Sequence, residues 1–269
     1  MAKPPDLKGK WALVTGASAG LGALFARQLA ARGMNVVLVA RRLERLEALG
    51  RELRQEHGIE VVELSVDLSL PGAALRVFEQ SEGAGRPIAV LINNAGFGLR
   101  KAFVEIPPDR IEAQIQLNVT AVTALARLFA EPMIQRHEGY ILNIASIQGQ
   151  FSVPYYATYC GTKAFVVSFS EALRYELRGS GVTVACSCPG TTETEFLEIA
   201  SHTDLSPMLK ILVMKAEPVV SASLKTLFGG GGVVVTGWKN RVVVGSLALL
   251  PRSLRVQVVG RLIGPGAAK

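Results

Sequence analysis

Along most of this chain, short unbroken apolar runs alternate with longer stretches of mixed apolar and polar residues. Seven runs have strand length: residues 10–15, 35–40, 59–66, 88–92, 139–145, 182–187 and 233–236. The intervening stretches repeat apolar positions at helical spacing and predict helices over 21–32, 43–56, 73–82, 109–136, 155–178 and 218–228, with a looser one over 195–213. Few of the strand runs alternate apolar with polar, as they would if one sheet face met water. Such strands belong to a parallel sheet covered by helices on both sides. The pattern therefore predicts an α/β protein, a three-layer, doubly wound sheet of about seven strands. No internal repeat and no linker interrupts it, so residues 1–269 read as one domain, with a pocket-forming segment at 190–228 and an extension at 240–269.

Composition narrows the function classes. At 269 residues and 49% hydrophobic, the chain can bury one large core. Its net charge of +7 comes from scattered basic residues with no run of five, which gives no footprint for nucleic acid. The three cysteines (Cys160, Cys186, Cys188) and three histidines (His57, His137, His202) have no metal-ligand spacing, so no metal is expected. Unpaired cysteines and the lack of an apolar leader point to a reducing, cytoplasmic setting. The tail over 242–263 is apolar with Arg252, Arg255 and Arg261 interspersed. In order of preference it reads as a helical cap over a pocket, a subunit contact, or an amphipathic segment touching lipid.

The first strand runs into Gly16-Ala17-Ser18-Ala19-Gly20-Leu21-Gly22 and then a helix. Glycines here let the backbone approach a pyrophosphate, and the helix N-terminus favours the anion. The residue after the second strand selects the dinucleotide. A carboxylate there would hold the ribose hydroxyls of NAD; this chain has Ala40-Arg41-Arg42, which suits the 2′-phosphate of NADP. Arg41 is the preferred phosphate contact, Ser18 a second one, and Arg42 reads as the opening of an exposed helix. Asp67-Leu68 ends the third strand, where Asp67 either meets an adenine amino group or caps a helix. Asn93-Asn94-Ala95-Gly96 ends the fourth strand with small residues and amides, which suit close approach to a cofactor or a plain turn. Asn118 falls inside a helix, where asparagine is disfavoured, so it either has a hydrogen-bonding task or marks a distortion.

Ser146 ends the fifth strand. Tyr159 and Lys163 follow, four residues apart and on one helix face. Tuning a phenol from about 10 to about 7 takes roughly 4 kcal/mol, about what an ammonium a few Å away supplies. A hydroxyl, a phenol and a cation make an orienter, an acid and its tuning charge. Taken alone, Tyr-x-x-x-Lys is common on amphipathic helices.

In order, these motifs resemble the short-chain dehydrogenase/reductase family over residues 10–196 and, more weakly, to the last strand. The resemblance implies a Rossmann-type sheet, Tyr159 as general acid/base, and Lys163 both tuning it and binding the nicotinamide ribose. It further implies Ser146 on the substrate oxygen and Asn118 linking Lys163 to a water chain. Gly16, Gly20, Leu21, Gly22, Asn93, Asn94, Ala95, Gly96, Pro189, Gly190, Thr192 and Thr194 would lie along the cofactor. The expected activity is hydride exchange between NADP(H) and a carbonyl or alcohol. The predicted substrate wall of Phe97, Gly98, Ile147, Gln148, Gln150, Phe151, Val153, Tyr156 and residues 191–214 is mostly apolar, which favours an apolar ketone, aldehyde or acyl-type substrate. The family also implies a homodimer or homotetramer. A catalytically silent nucleotide sensor is the alternative reading, and the intact relay argues against it.

Overall fold

The computed structural model describes residues 6–192 and 213–263. Its centre is a seven-stranded, fully parallel sheet in the order β3-β2-β1-β4-β5-β6-β7. The strands are β1 (Trp11–Thr15), β2 (Asn35–Ala40), β3 (Val61–Ser65), β4 (Ile88–Asn93), β5 (Gly139–Ile144), β6 (Val182–Cys188) and β7 (Gly232–Val235). The helices are α1 (Gly20–Ala30), α2 (Leu43–His57), α3 (Ala73–Gln80), α4 (Pro108–Ile115), α5 (Val122–Gln135), α6 (Ala157–Glu176), α7 (Ala216–Phe228), α8 (Trp238–Ala248) and α9 (Arg252–Ile263).

Successive side chains of a strand leave opposite faces of the sheet, and each face here has its own apolar core. Ala12, Val14, Val36 and Leu38 pack under α1, α2 and α7 with Phe25, Leu46 and Leu224. Leu13, Val37 and Val39 pack on the other face with Val77 of α3 and Phe129 of α5. Chain order reverses between β1 and β4, and ligand crevices of open parallel sheets form at that switch, beyond the carboxyl ends of the strands.

The long helix expected over 109–136 is α4 and α5 joined by a π-turn, Gln116–Ala121, with Asn118 inside it. This stretch is long and apolar enough to cross a membrane, yet Leu125, Phe129 and Met133 are core residues of the sheet's second face. Of the expected helix over 195–213, only Val213 falls within the described residues, and Thr194 lies outside them. The helix expected over 218–228 starts two residues earlier, so Pro218 sits in the first turn of α7, where its missing N–H costs nothing. The tail forms two helices, α8 and α9. Leu247 and Val259 pack with Phe151, Val153, Tyr156 and Tyr159, which makes the pair a cap beside the site.

Candidate active site

A cleft of about 340 Å³ opens at the β1/β4 switch and gathers segments far apart in sequence. Gly16, Ser18, Gly20 and Leu21 line one end, with Arg41, Arg42, Asp67 and Leu68 beside them. Asn94, Ala95, Gly96, Pro189, Gly190 and Thr192 line the middle, and Ser146, Tyr159 and Lys163 the far end.

Thr15 ties the two central strand ends together. Its hydroxyl accepts the backbone N–H groups of Asn94 at 2.9 Å and Ala95 at 3.0 Å. The Asn94 amide donates back to the Thr15 carbonyl at 2.9 Å. The glycine turn is thereby held against residues 94–96. Gly16 has φ +67, and a Cβ there would meet the Asn94 amide nitrogen at 2.8 Å. Gly22 does not face the cleft. A Cβ on it would lie 2.1 Å from the Gly16 carbonyl oxygen, so its bare α-carbon is what lets α1 seat on the turn. Gly22→Ala should therefore lower the melting temperature by several degrees and weaken dinucleotide binding, read by thermal denaturation and fluorescence titration.

This end of the cleft fits a dinucleotide. The first turn of α1 has no capping side chain and no acidic residue, leaving its N–H groups and positive dipole end for an anion. At the end of β2 both arginines line the cleft. Arg41 is 75% exposed, with its guanidinium 3.9 Å from Asp67. Arg42 does more than open α2: it donates to the Ser18 hydroxyl at 3.1 Å, joining two residues from opposite sides of the anion site. Asp67 accepts from the Ser69 backbone N–H at 2.9 Å and hydroxyl at 2.7 Å, closing a local turn; α3 begins later, after Gly72.

Asn93 turns away from the cleft. Its amide donates to Asn143 at 2.9 Å, Asn143 donates to Ser170 at 2.9 Å, and Ser170 donates to the Val166 carbonyl at 2.6 Å. This buried chain fastens β4 and β5 to α6, the helix that carries Tyr159 and Lys163. Asn118 has both its hydrogen-bonding task and its distortion. Its side chain accepts from the Phe97 N–H at 3.1 Å and donates to the Phe97 carbonyl at 3.0 Å and the Thr162 hydroxyl at 3.1 Å. π-Turns of this kind cluster at functional sites.

Tyr159 and Lys163 are almost fully buried, 6% and 4% exposed, and share one face of α6. The Lys163 ammonium lies 5.8 Å from the Tyr159 ring centre and donates to the Ile144 carbonyl at 2.8 Å. A Cβ on Gly96 would lie 3.0 Å from the Asn118 oxygen and 3.4 Å from the Lys163 nitrogen, so all three crowd one spot. Ser146 accepts from the Gln148 N–H at 3.2 Å and reaches the Pro189 carbonyl only at 3.5 Å.

The charges differ from the sequence expectation in one respect. Burial pushes the Tyr159 phenol up from its usual value, and its hydrogen bond with Ser146 only partly opposes this. Burial also lowers Lys163 to about 8. Desolvation acts on both partners, and Lys163 spends a donor on Ile144, so its proximity does not outweigh burial of the phenol. A measurable consequence follows for Lys163, which keeps its proton below about 8 and loses it above. Affinity for a ribose and phosphate ligand should therefore fall as pH rises through that value. Isothermal titration of NADPH across this range should show the decline, and Lys163→Met should flatten it.

Sequence reading missed the Arg42 hydrogen bond to Ser18 and the Asn93–Asn143–Ser170 chain. Neither has a local signal, since each is made by segments distant in the chain.

A family model described as short chain dehydrogenase matches residues 10–204. The very-long-chain 3-oxoacyl-CoA reductase of Rattus norvegicus is 32% identical over 249 residues, 91% of this chain and 76% of that protein. The 17-beta-hydroxysteroid dehydrogenase type 3 of Homo sapiens is 31% identical over 245 residues, 90% of this chain and 76% of that protein. Among solved structures, a short-chain dehydrogenase from Sphingobium yanoikuyae in complex with NADPH superposes with a TM-score of 0.79 at 34% identity, covering 91% of this chain and 97% of that one.

Proposed function

The chain belongs to the short-chain dehydrogenase/reductase family, oxidoreductases of CH–OH and C=O groups; from that premise we propose that it reduces apolar ketones of acyl-chain or steroid size, with NADPH as the electron source. The observation that carries the cofactor choice is the end of β2. No carboxylate stands at Ala40, and Arg41, Arg42 and Ser18 surround the place where a 2′-phosphate would sit. Bound along this cleft, a reduced nicotinamide supplies the hydride for the carbonyl carbon.

The chain's own residues supply the rest. Ser146, whose hydroxyl reaches the Pro189 carbonyl only at 3.5 Å and hydrogen-bonds the Tyr159 phenol, is placed to donate to the carbonyl oxygen. Tyr159 passes its phenolic proton to that oxygen as charge develops. A phenol that burial keeps protonated is suited to the donor role. Lys163 holds a positive charge beside it. Asn118, fixed between Phe97 and Thr162, keeps the π-turn and α6 in register.

The substrate class follows from the wall. Of the apolar part of the expected wall, Ile147 and Tyr156 line the cleft beside Tyr159, and Phe151 and Val153 pack behind Tyr156 with Leu247 and Val259, so the backing of this side of the cleft is apolar. The names of the two relatives above carry the same chemistry, a long acyl chain and a steroid. The test is a carbonyl panel run with NADPH and with NADH. Long-chain 3-oxoacyl thioesters and steroid-size ketones should be reduced, faster with NADPH, while sugars and polyols stay inert. Turnover confined to sugars or polyols would refute the substrate class.

A further inference from the structure

Every acidic residue of the chain lies at or before Glu217. Seven lysines and arginines follow it, equal to the whole formal net charge of +7, so residues 1–217 are balanced and the remainder is purely cationic. Five of those seven, Lys239, Arg241, Arg252, Arg255 and Arg261, stand on α8 and α9, where among the residues of described burial only Asn240 and Val259 are buried.

The outward side of α8 is apolar. Trp238, Val242, Gly245 and Leu249 fall within about 60° of one another around the helix axis. Trp238 is 66% exposed and Leu249, just past the helix end, 87% exposed. Lys239 lies 5.9 Å from the Trp238 ring centre, and Arg241 is exposed alongside. On α9, Leu254 and Arg261 are exposed on the side away from Val259, and Leu262 is exposed near the helix end. Arg255 locks the two helices together by donating to the Ala248 and Leu250 carbonyls, each at 2.7 Å. The rim continues beyond them. Phe103 and Val104, the latter 91% exposed, stand on the loop whose Lys101 N–H bonds the Tyr155 carbonyl, next to Tyr156.

We propose that the α8–α9 face docks on an anionic lipid surface. Exposed tryptophan and leucine beside arginine and lysine is the composition of helices that lie in a membrane interface. The charge selects the partner. A second copy meeting this face through a two-fold axis would set cations against cations, whereas anionic headgroups complement them. Since Leu247 and Val259 pack directly behind Tyr156 and Tyr159 of the cleft, docking sets that side of the site against the lipid.

The test is co-sedimentation of the full chain with vesicles of phosphatidylcholine alone and of phosphatidylcholine with phosphatidylglycerol. Binding should require phosphatidylglycerol and weaken in high salt, with a loss of about fivefold for each cation removed. Trp238→Ser with Leu249→Ser, and separately Arg241→Glu with Arg252→Glu, should abolish co-sedimentation. Both variants should leave NADPH affinity, melting temperature and reduction of a short water-soluble ketone unchanged. Equal sedimentation with and without phosphatidylglycerol, or none with either, overturns the proposal. So does a dimer in analytical ultracentrifugation that the Trp238 and Leu249 substitutions dissociate, which would assign the face to a second copy. Vesicle binding is read without turnover, so its outcome is separate from that of the carbonyl panel.

Discussion

Tyr159→Phe should reduce carbonyl turnover by about 10²–10⁴-fold, the range for loss of a positioned general acid, while NADPH affinity stays within about threefold of the parent, well under 1.4 kcal/mol. The substitution keeps the ring, which packs with Val153, Tyr156, Cys160 and Val259, and removes only the hydroxyl. The lost hydrogen bond to Ser146 costs on the order of 1 kcal/mol of stability, so the variant should fold. Lys163 does not depend on that hydroxyl, since it is held by Ile144, and Asn118 is held by Phe97 and Thr162. The cofactor cleft should therefore survive intact. Steady-state kinetics and fluorescence titration on the same sample separate the two effects. Unchanged turnover would mean that another group delivers the proton; Tyr156, also lining the cleft, would be the next to test.

Replacing both Arg41 and Arg42 by alanine should weaken NADPH by about 10²–10³-fold and NADH by less than about threefold, two charge-assisted hydrogen bonds to a phosphate being worth about 3–4 kcal/mol together. Arg41 alone should account for part of this, since its exposed guanidinium also neutralises Asp67. Arg42→Ala should have a further effect through Ser18, which loses the donor that points it. The double variant should keep its melting temperature, because both side chains sit at the open end of the cleft and neither belongs to the core. Titration with both dinucleotides reads the result directly. Equal losses for NADPH and NADH would place the arginines on the pyrophosphate and leave the 2′-phosphate assignment without support.

Features carried by local pattern were legible in the sequence. The seven strands show as apolar runs because both sheet faces are covered, and the glycine turn shows because Gly16 needs a left-handed backbone and Gly22 a bare α-carbon. Tyr159 and Lys163 share a helix face by spacing alone, and mid-helix Asn118 signalled its own anomaly. What depends on distant segments was not legible. Arg42 reaches Ser18 across the β1–β2 connection, and Asn93 joins Asn143 and Ser170 in the core. The pattern gave Asn93 and Asn94 equal standing at a strand end, and only the pleat decides which faces the cleft. Tail residues 242–263 scan without a clear helical stripe, because one side packs on the site wall while the other stays apolar and exposed. The direction of the Tyr159 shift also escaped, since it depends on burial as much as on the neighbouring charge.

The central claim, carbonyl reduction at the cleft beside Tyr159, is tested most directly by isotope transfer. The protein is incubated with a long-chain 3-oxoacyl thioester or a steroid-size ketone and NADPH carrying deuterium in place of both nicotinamide C4 hydrogens, and the product is read by mass spectrometry. The account predicts an alcohol carrying one deuterium on the former carbonyl carbon, formed by the parent and not by Tyr159→Phe. An alcohol without deuterium at that carbon, or labelled product formed equally by the variant, would contradict it.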